Sequence, residues 1–151
     1  SFYSINKNST MTSTVVYEQN LRTVCTHLKS GTVIETDAPP DNQGKGERFS
    51  PSDLVATALA SCMLTIMGIK ARDMNVNLKG IKVEVEKIME SNPRRIGGLN
   101  LTFNYPDNFK ATDKEQMILE KAALTCPVFH SIHPDIKVNV AFNFKKEAVS
   151  Q

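Results

Sequence analysis

Three side chains in this sequence carry a nucleophilic sulfur: Cys25, Cys62 and Cys126. They are far apart, so none forms a Cys-x-x-Cys redox pair. Taken singly, each is most simply a small buried hydrophobe, the commonest fate of an unpaired cysteine. Local context separates two of them from that reading. Cys62 lies in the middle of a strongly signalled helix, the kind of rigid support on which reactive atoms are held accurately. Cys126 directly precedes Pro127, where helix geometry must break. A thiol at such a break moves at little backbone cost, the property a resolving cysteine needs. Cys25 falls inside an apparent strand. A second chemistry is also spelled out: Cys126, His130 and His133 are spaced Cys-x3-His-x2-His, which on one helical face would give three zinc ligands. Pro127 interrupts that face and neither a fourth ligand nor an obvious base accompanies it, so two surface histidines beside a turn are the simpler reading. Arg94-Arg95 and Lys145-Lys146 read as solvated charge.

The helix that must hold Cys62 announces its start. Ser50 stands at the cap, Pro51 at the first helical position and Asp53 three residues after the cap, a capping box with proline where its missing N–H costs nothing. Leu54, Ala58, Cys62 and Ile66 recur every four residues, as do Val55, Leu59, Met63 and Met67, and the helix is expected to end near Asp73. From Leu54 to Ile69 no residue is charged. That run is short of the ~20 apolar residues of a membrane span, and it contains Thr57, Ser61, Thr65 and Gly68. It reads instead as a helix buried on nearly all sides, by sheet, another helix or another subunit.

Around it the chain alternates in period two. Residues 13–19, 21–29 and 32–36 read as strands, followed by a turn-rich loop over 37–49, long enough to be functional. Residues 78–89 place Ile81, Val83 and Val85 inward and Lys82, Glu84 and Glu86 outward. A turn at Ser91-Asn92-Pro93 leads into 96–105, with Leu99, Leu101 and Phe103 on one face. Thr112 caps a second helix with Glu115 three residues on, and Leu119, Ala122, Ala123 and Cys126 form its stripe. One further helical turn over 128–133 precedes a last strand, 137–144. The order βββ-α-ββ-α-β implies an α+β fold with one antiparallel sheet and its two main helices gathered on one side. A single domain is expected over 13–145, with a flexible leader over 1–12 and a tail over 146–151.

Composition sets the boundaries. The chain of 151 residues is 40% hydrophobic and 23% charged, a globular balance, and its formal net charge is only +2. That disfavours a dedicated nucleic-acid binder, which carries a clustered basic excess. An odd number of cysteines suits a reducing compartment, and the first fifteen residues hold no apolar core of a signal peptide. A cytoplasmic protein without membrane partners is expected.

The segment GKGERFSPSDLVATALASCM, followed later by ALTCPVFHSI, resembles the OsmC/Ohr family of osmotically inducible and organic hydroperoxide resistance proteins, and the OsmC-like branch more than the Ohr branch. The likeness extends from about Thr14 to Phe144. It implies two intertwined subunits forming a homodimer, with central helices against sheets built by both chains. It implies a thiol peroxidase acting on organic hydroperoxides or hydrogen peroxide in oxidative-stress defence, with Cys62 as the peroxidatic cysteine and Cys126 as the resolving one, through a Cys62 sulfenic acid and a Cys62–Cys126 disulfide. It implies no bound cofactor and no metal, but an external thiol reductant such as a lipoyl-type dithiol. Arg22 matches the family arginine. Many members carry Glu directly after the helix-opening proline; here Ser52 and Asp53 follow Pro51, so Glu47 is the expected carboxylate partner of Arg22, with Asp53 kept as a cap. The competing reading is a non-catalytic protein of the same fold that holds a small apolar ligand.

Overall fold

β-branched residues and tight turns lay down the first sheet. In the computed structural model, which describes residues 11–144, β1 (Ser13–Tyr17), β2 (Arg22–His27) and β3 (Val33–Asp37) form an antiparallel meander in the order β1-β2-β3. The strands are shorter than the alternation implies. Gln19, Asn20 and Leu21 all adopt positive φ, which a strand cannot continue, so β1 and β2 end on either side of them. Residues 1–10 of the expected leader, the expected tail over 146–151 and Lys145 lie outside the described residues.

The loop after β3 is folded back on itself rather than extended. It contains a single 3-10 turn at Pro40–Asn42, and Gly44 N–H and Gly46 N–H return to the carbonyls of Pro39 and Ala38. A Cβ on Gly44 would run into the Ala38 carbonyl, so glycine is required there for the close approach. The capping box opens α1 (Pro51–Asp73) as expected: Ser50 N–H donates to Asp53 Oδ2 at 2.9 Å and Asp53 N–H donates to Ser50 Oγ at 3.1 Å.

Contacts divide the chain into two compact units, one ending at Leu54 and one beginning at Val55. The second unit holds the rest of α1, β4 (Lys82–Glu90), β5 (Arg95–Asn104), α2 (Asp113–Ala123), α3 (Pro127–Ser131) and β6 (Lys137–Asn143). The single antiparallel sheet read from the sequence is therefore two sheets, and the second is mixed: β4 pairs with β5 antiparallel, β5 with β6 parallel. The cause is the connection. A crossover carrying both α2 and α3 returns the chain to the starting end of β5, and β6 then runs in the same direction. The alternation itself holds, with Leu99, Leu101 and Phe103 buried on the inner face beneath the helices.

α1 is long and apolar enough to cross a membrane by length and composition alone. Here one face of it packs in the core, where Leu59, Met63 and Met67 meet Leu99, Leu101, Phe103, Leu119 and Ala123. Val55, Ala58, Thr65 and Ile69 remain exposed, and they share one helical stripe with Cys62.

Candidate active site

The second unit brings two of its cysteines together. Cys62, about halfway along α1's uncharged run, is half-buried and packs against the core from the edge of the exposed stripe. Cys126 is fully buried. It is not the end of α2, as its stripe implied. α2 stops at Ala123, and Cys126 instead caps α3, with Pro127 at the first helical position. The Cys126 Sγ accepts the Phe129 N–H at 3.3 Å. The two side chains lie close enough for Cys62 to perturb the ionisation of Cys126, which joins residues remote in sequence into one dithiol. Burial pushes the Cys126 thiol pKa up; the Phe129 N–H opposes that shift, and the neighbouring Cys62 adds to it.

That asymmetry predicts an order of modification. Iodoacetamide at pH 8 is expected to alkylate Cys62 first and Cys126 more slowly, since only the thiolate reacts and Cys126 is both fully covered and pushed toward its protonated form. Peptide mapping after timed quenching checks it. Equal labelling of the two would show that the burial of Cys126 does not control its reactivity.

A second cluster occupies the first unit and centres on Arg22, the first residue of β2. Glu47, the expected partner, does reach the guanidinium, but only at 3.5 Å and with its side chain 58% exposed. The short bonds go to Asp37. Arg22 Nε donates to Asp37 Oδ1 and Nη2 to Asp37 Oδ2, both at 2.8 Å, and the Asp37 side chain is completely covered. Glu47 contributes its backbone instead: its N–H donates to Asp37 Oδ2 at 3.2 Å. Glu35 lies 3.5 Å from Arg22 Nε and 3.9 Å from Arg48 Nε. The hydrogen bonds to Asp37 raise the Arg22 pKa further above its already high value, and those from Arg22 hold the Asp37 carboxyl below the usual carboxylate range. Asp53 is a helix cap, as read from the sequence.

The remaining candidates do not assemble. Cys25 sits mid-strand opposite Val15 and Ile34, with Thr23 Oγ1 at 3.8 Å. Among the described residues no three His, Cys, Asp or Glu side chains gather as a metal site, and His133 Nδ1 is turned toward the Asp135 N–H at 3.0 Å while Cys126 faces Cys62 and Phe129. One buried polar group escaped the sequence reading altogether. Gln116 donates from Nε2 to Tyr105 OH at 2.7 Å and to Glu120 Oε1 at 3.1 Å beneath α2, a packing role rather than a reactive one.

A dithiol on this α+β scaffold can be set against known proteins. The family model described as OsmC-like protein matches residues 44–141, which include the end of the loop, all of α1 with Cys62, and Cys126. The chain belongs to the OsmC-like family. A crystal structure from Psychrobacter arcticus 273-4, provisionally described as an osmotic stress induced and detoxification response protein, is 50% identical, with a TM-score of 0.86 over 92% of this chain and all of that one. An organic hydroperoxide resistance protein OsmC of Legionella pneumophila shares the fold at 15% identity and TM-score 0.67, covering 92% of this chain and all of its own. So does a Vibrio cholerae O1 biovar eltor protein, provisionally named for organic hydroperoxide resistance and holding captopril in one of its active sites. It is 19% identical, with a TM-score of 0.66 over 92% of this chain and 96% of that one. No curated protein matches the chain.

Proposed function

We propose that this OsmC-like protein is a thiol peroxidase that reduces organic hydroperoxides in peroxide defence. The observation that carries the reading is the neighbouring pair of Cys62 and Cys126, one thiol half-exposed and the other buried. The half-exposed Cys62 is the one a peroxide can reach. Its thiolate attacks the terminal oxygen of ROOH; the O–O bond breaks, RO⁻ leaves and takes up a proton, and Cys62 becomes a sulfenic acid. The Cys126 thiol then attacks the Cys62 sulfur. The S–S bond forms, the S–O bond breaks, and water leaves with the Cys126 proton. An external dithiol of the lipoyl type, in a reducing cytoplasm, returns both cysteines to thiols. Arg22, assigned by family resemblance, stabilises the departing oxyanion. The working form is a homodimer. The names of the hydroperoxide resistance proteins that share the fold support the substrate class.

Titration with tert-butyl hydroperoxide tests the reading. One equivalent is expected to consume two thiols and leave one disulfide linking Cys62 to Cys126. Unchanged thiols, with a small apolar molecule co-purifying, would favour the binding-protein reading instead.

Substrate preference follows from the stripe on which Cys62 lies. The sequence points to an apolar pocket walled by Ala58, Leu59, Met63 and Ile66 with Phe49 from the loop before the helix, but Leu59 and Met63 are fully buried in the core and cannot touch a substrate. Val55, Ala58 and the half-buried Ile66 lie on the side of α1 that its own chain leaves uncovered, where a substrate held beside the partner subunit would meet them. Covering two methylene equivalents there, at ~0.8 kcal/mol each, gives about a tenfold preference for an alkyl hydroperoxide over hydrogen peroxide. Second-order rates for tert-butyl hydroperoxide and hydrogen peroxide decide it, and equal rates would remove the apolar contribution while leaving the thiol chemistry intact.

A further inference from the structure

The geometry points to Asp37 as the positioning residue for Arg22, in place of the expected Glu47. The inference rests on the peroxidase reading above, in which Arg22 acts on the peroxide oxygens.

Three carboxylates surround Arg22, and they are not equivalent. Glu35 and Glu47 stand at 3.5 Å with side chains 36% and 58% exposed. Contacts of that length between partly solvated groups are weak and readily exchanged for water. Asp37 makes two parallel bonds of 2.8 Å to Nε and Nη2 from a fully covered carboxylate. Such a fork fixes the plane of the guanidinium as well as its position, which a single contact cannot do. The cross-strand register builds it, because Arg22 and Asp37 are directly opposite in the β2–β3 ladder. Asp37 is itself pinned from the other side. Its backbone N–H donates to the Phe49 carbonyl at 3.1 Å and its Oδ2 accepts the Glu47 N–H at 3.2 Å, so the folded-back loop is tied to the same carboxylate.

The fork also decides which edge of Arg22 is presented. Nε is committed to Asp37, and Nη2 is shared between Asp37 and Glu47. Nη1 bonds to none of the three carboxylates, and its two N–H groups are the ones the arginine offers to an oxyanion. Asp37 therefore acts through Arg22 and does not touch the substrate.

The test compares D37N, E47Q, R22Q and the D37N/R22Q double variant in hydroperoxide reduction. It also compares Arg22 Nε–H exchange by NMR in the wild type and in D37N. D37N is expected to lose about 10- to 100-fold in rate, the scale of one charge-assisted hydrogen bond, and E47Q less. The double variant is expected to be no slower than R22Q, because Asp37 has nothing to position once the guanidinium is gone. Arg22 Nε–H should exchange far more slowly than that of Arg48 in the wild type and lose that protection in D37N. A D37N enzyme as fast as wild type, an E47Q loss equal to or larger than that of D37N, or a double variant slower than R22Q by the full D37N factor overturns the assignment. If D37N does not fold, the wild-type NMR comparison decides, and an Arg22 Nε–H exchanging like that of Arg48 overturns it. A wild-type protein that consumes no hydroperoxide overturns the peroxidase reading and the purpose given to the clamp. An active wild type with D37N equally fast overturns the clamp alone.

Discussion

Cys62→Ser is expected to consume no hydroperoxide at a measurable rate, whereas Cys126→Ser is expected to consume one equivalent and stop. Cys25→Ser is expected to behave as wild type, since that side chain sits mid-strand with Thr23 as its polar neighbour. The first result follows from nucleophilicity: at neutral pH a serine hydroxyl has no ionised fraction to compare with the ~3% thiolate of an ordinary cysteine. The second follows from the order of steps. Without Cys126 the O–O bond still breaks, but the sulfenic acid on Cys62 meets no thiol and persists. A dimedone-type probe should label it at Cys62, with a mass shift on that peptide alone. Cys62→Ser consuming hydroperoxide at the wild-type rate would sink the assignment, and a fully cycling Cys126→Ser would show that Cys126 is not the resolving thiol.

A more acidic thiol does not by itself account for such a reaction. Lowering a thiol pKa by ~3 units would raise the thiolate fraction roughly 30-fold at neutral pH, but with a nucleophilicity slope of ~0.45 it would also cost roughly 20-fold in intrinsic reactivity. The larger contribution must come from stabilising the oxygen that leaves, and a correctly placed donor for such an oxyanion is worth about 10²–10³ in rate. If Arg22 supplies that donor, as proposed, its orientation matters more than its charge, and the fork from Asp37 gains a catalytic consequence.

The sequence disclosed these features unevenly, according to the range of the interactions involved. Both capping boxes, Ser50 with Asp53 and Thr112 with Glu115, were legible because each joins residues three apart. The inward row of Leu99, Leu101 and Phe103 was legible because strand periodicity is local. Cys62 and Cys126 could be singled out only by helix signals and by family resemblance, since nothing in their spacing brings them together. Asp37 was hidden by one residue of register. With β3 ending at Thr36, Asp37 falls in the loop. With β2 starting at Arg22 and β3 ending at Asp37, the two are directly opposite and the ion pair follows. The parallel β5–β6 pair was hidden for a different reason: strand direction depends on where a long crossover returns, which no local pattern encodes.

Dissociation is expected to leave no stable folded monomer, so that the wild-type protein sediments as a homodimer down to sub-micromolar concentration. The stripe of α1 formed by Val55, Ala58, Cys62, Thr65 and Ile69 is uncharged, with Ile69 53% and Val55 40% exposed. In the first unit every residue of β1 is exposed, and Val15, Val16 and Tyr17 stand at 53–62%. Apolar groups that are contiguous along a strand and along a helix, rather than scattered, mark surfaces that associate. In a two-fold dimer one stripe meets its own copy, so a single substitution enters the interface twice. Ile69→Glu tests this two turns of helix, ~10 Å, from Cys62. Two carboxylates brought together out of water should cost at least ~3 kcal/mol, which weakens dimerisation by about 100-fold or more. The variant should sediment as a smaller or unfolded species at micromolar concentration, and the wild type's melting temperature should rise with protein concentration, as mass action requires of a folded state that exists only in the dimer. A wild-type monomer that remains folded at sub-micromolar concentration, with a melting temperature independent of concentration, would remove the shared core from the account. Retention of the dimer in Ile69→Glu would place the interface elsewhere, with the exposed β1 strand the next surface to charge.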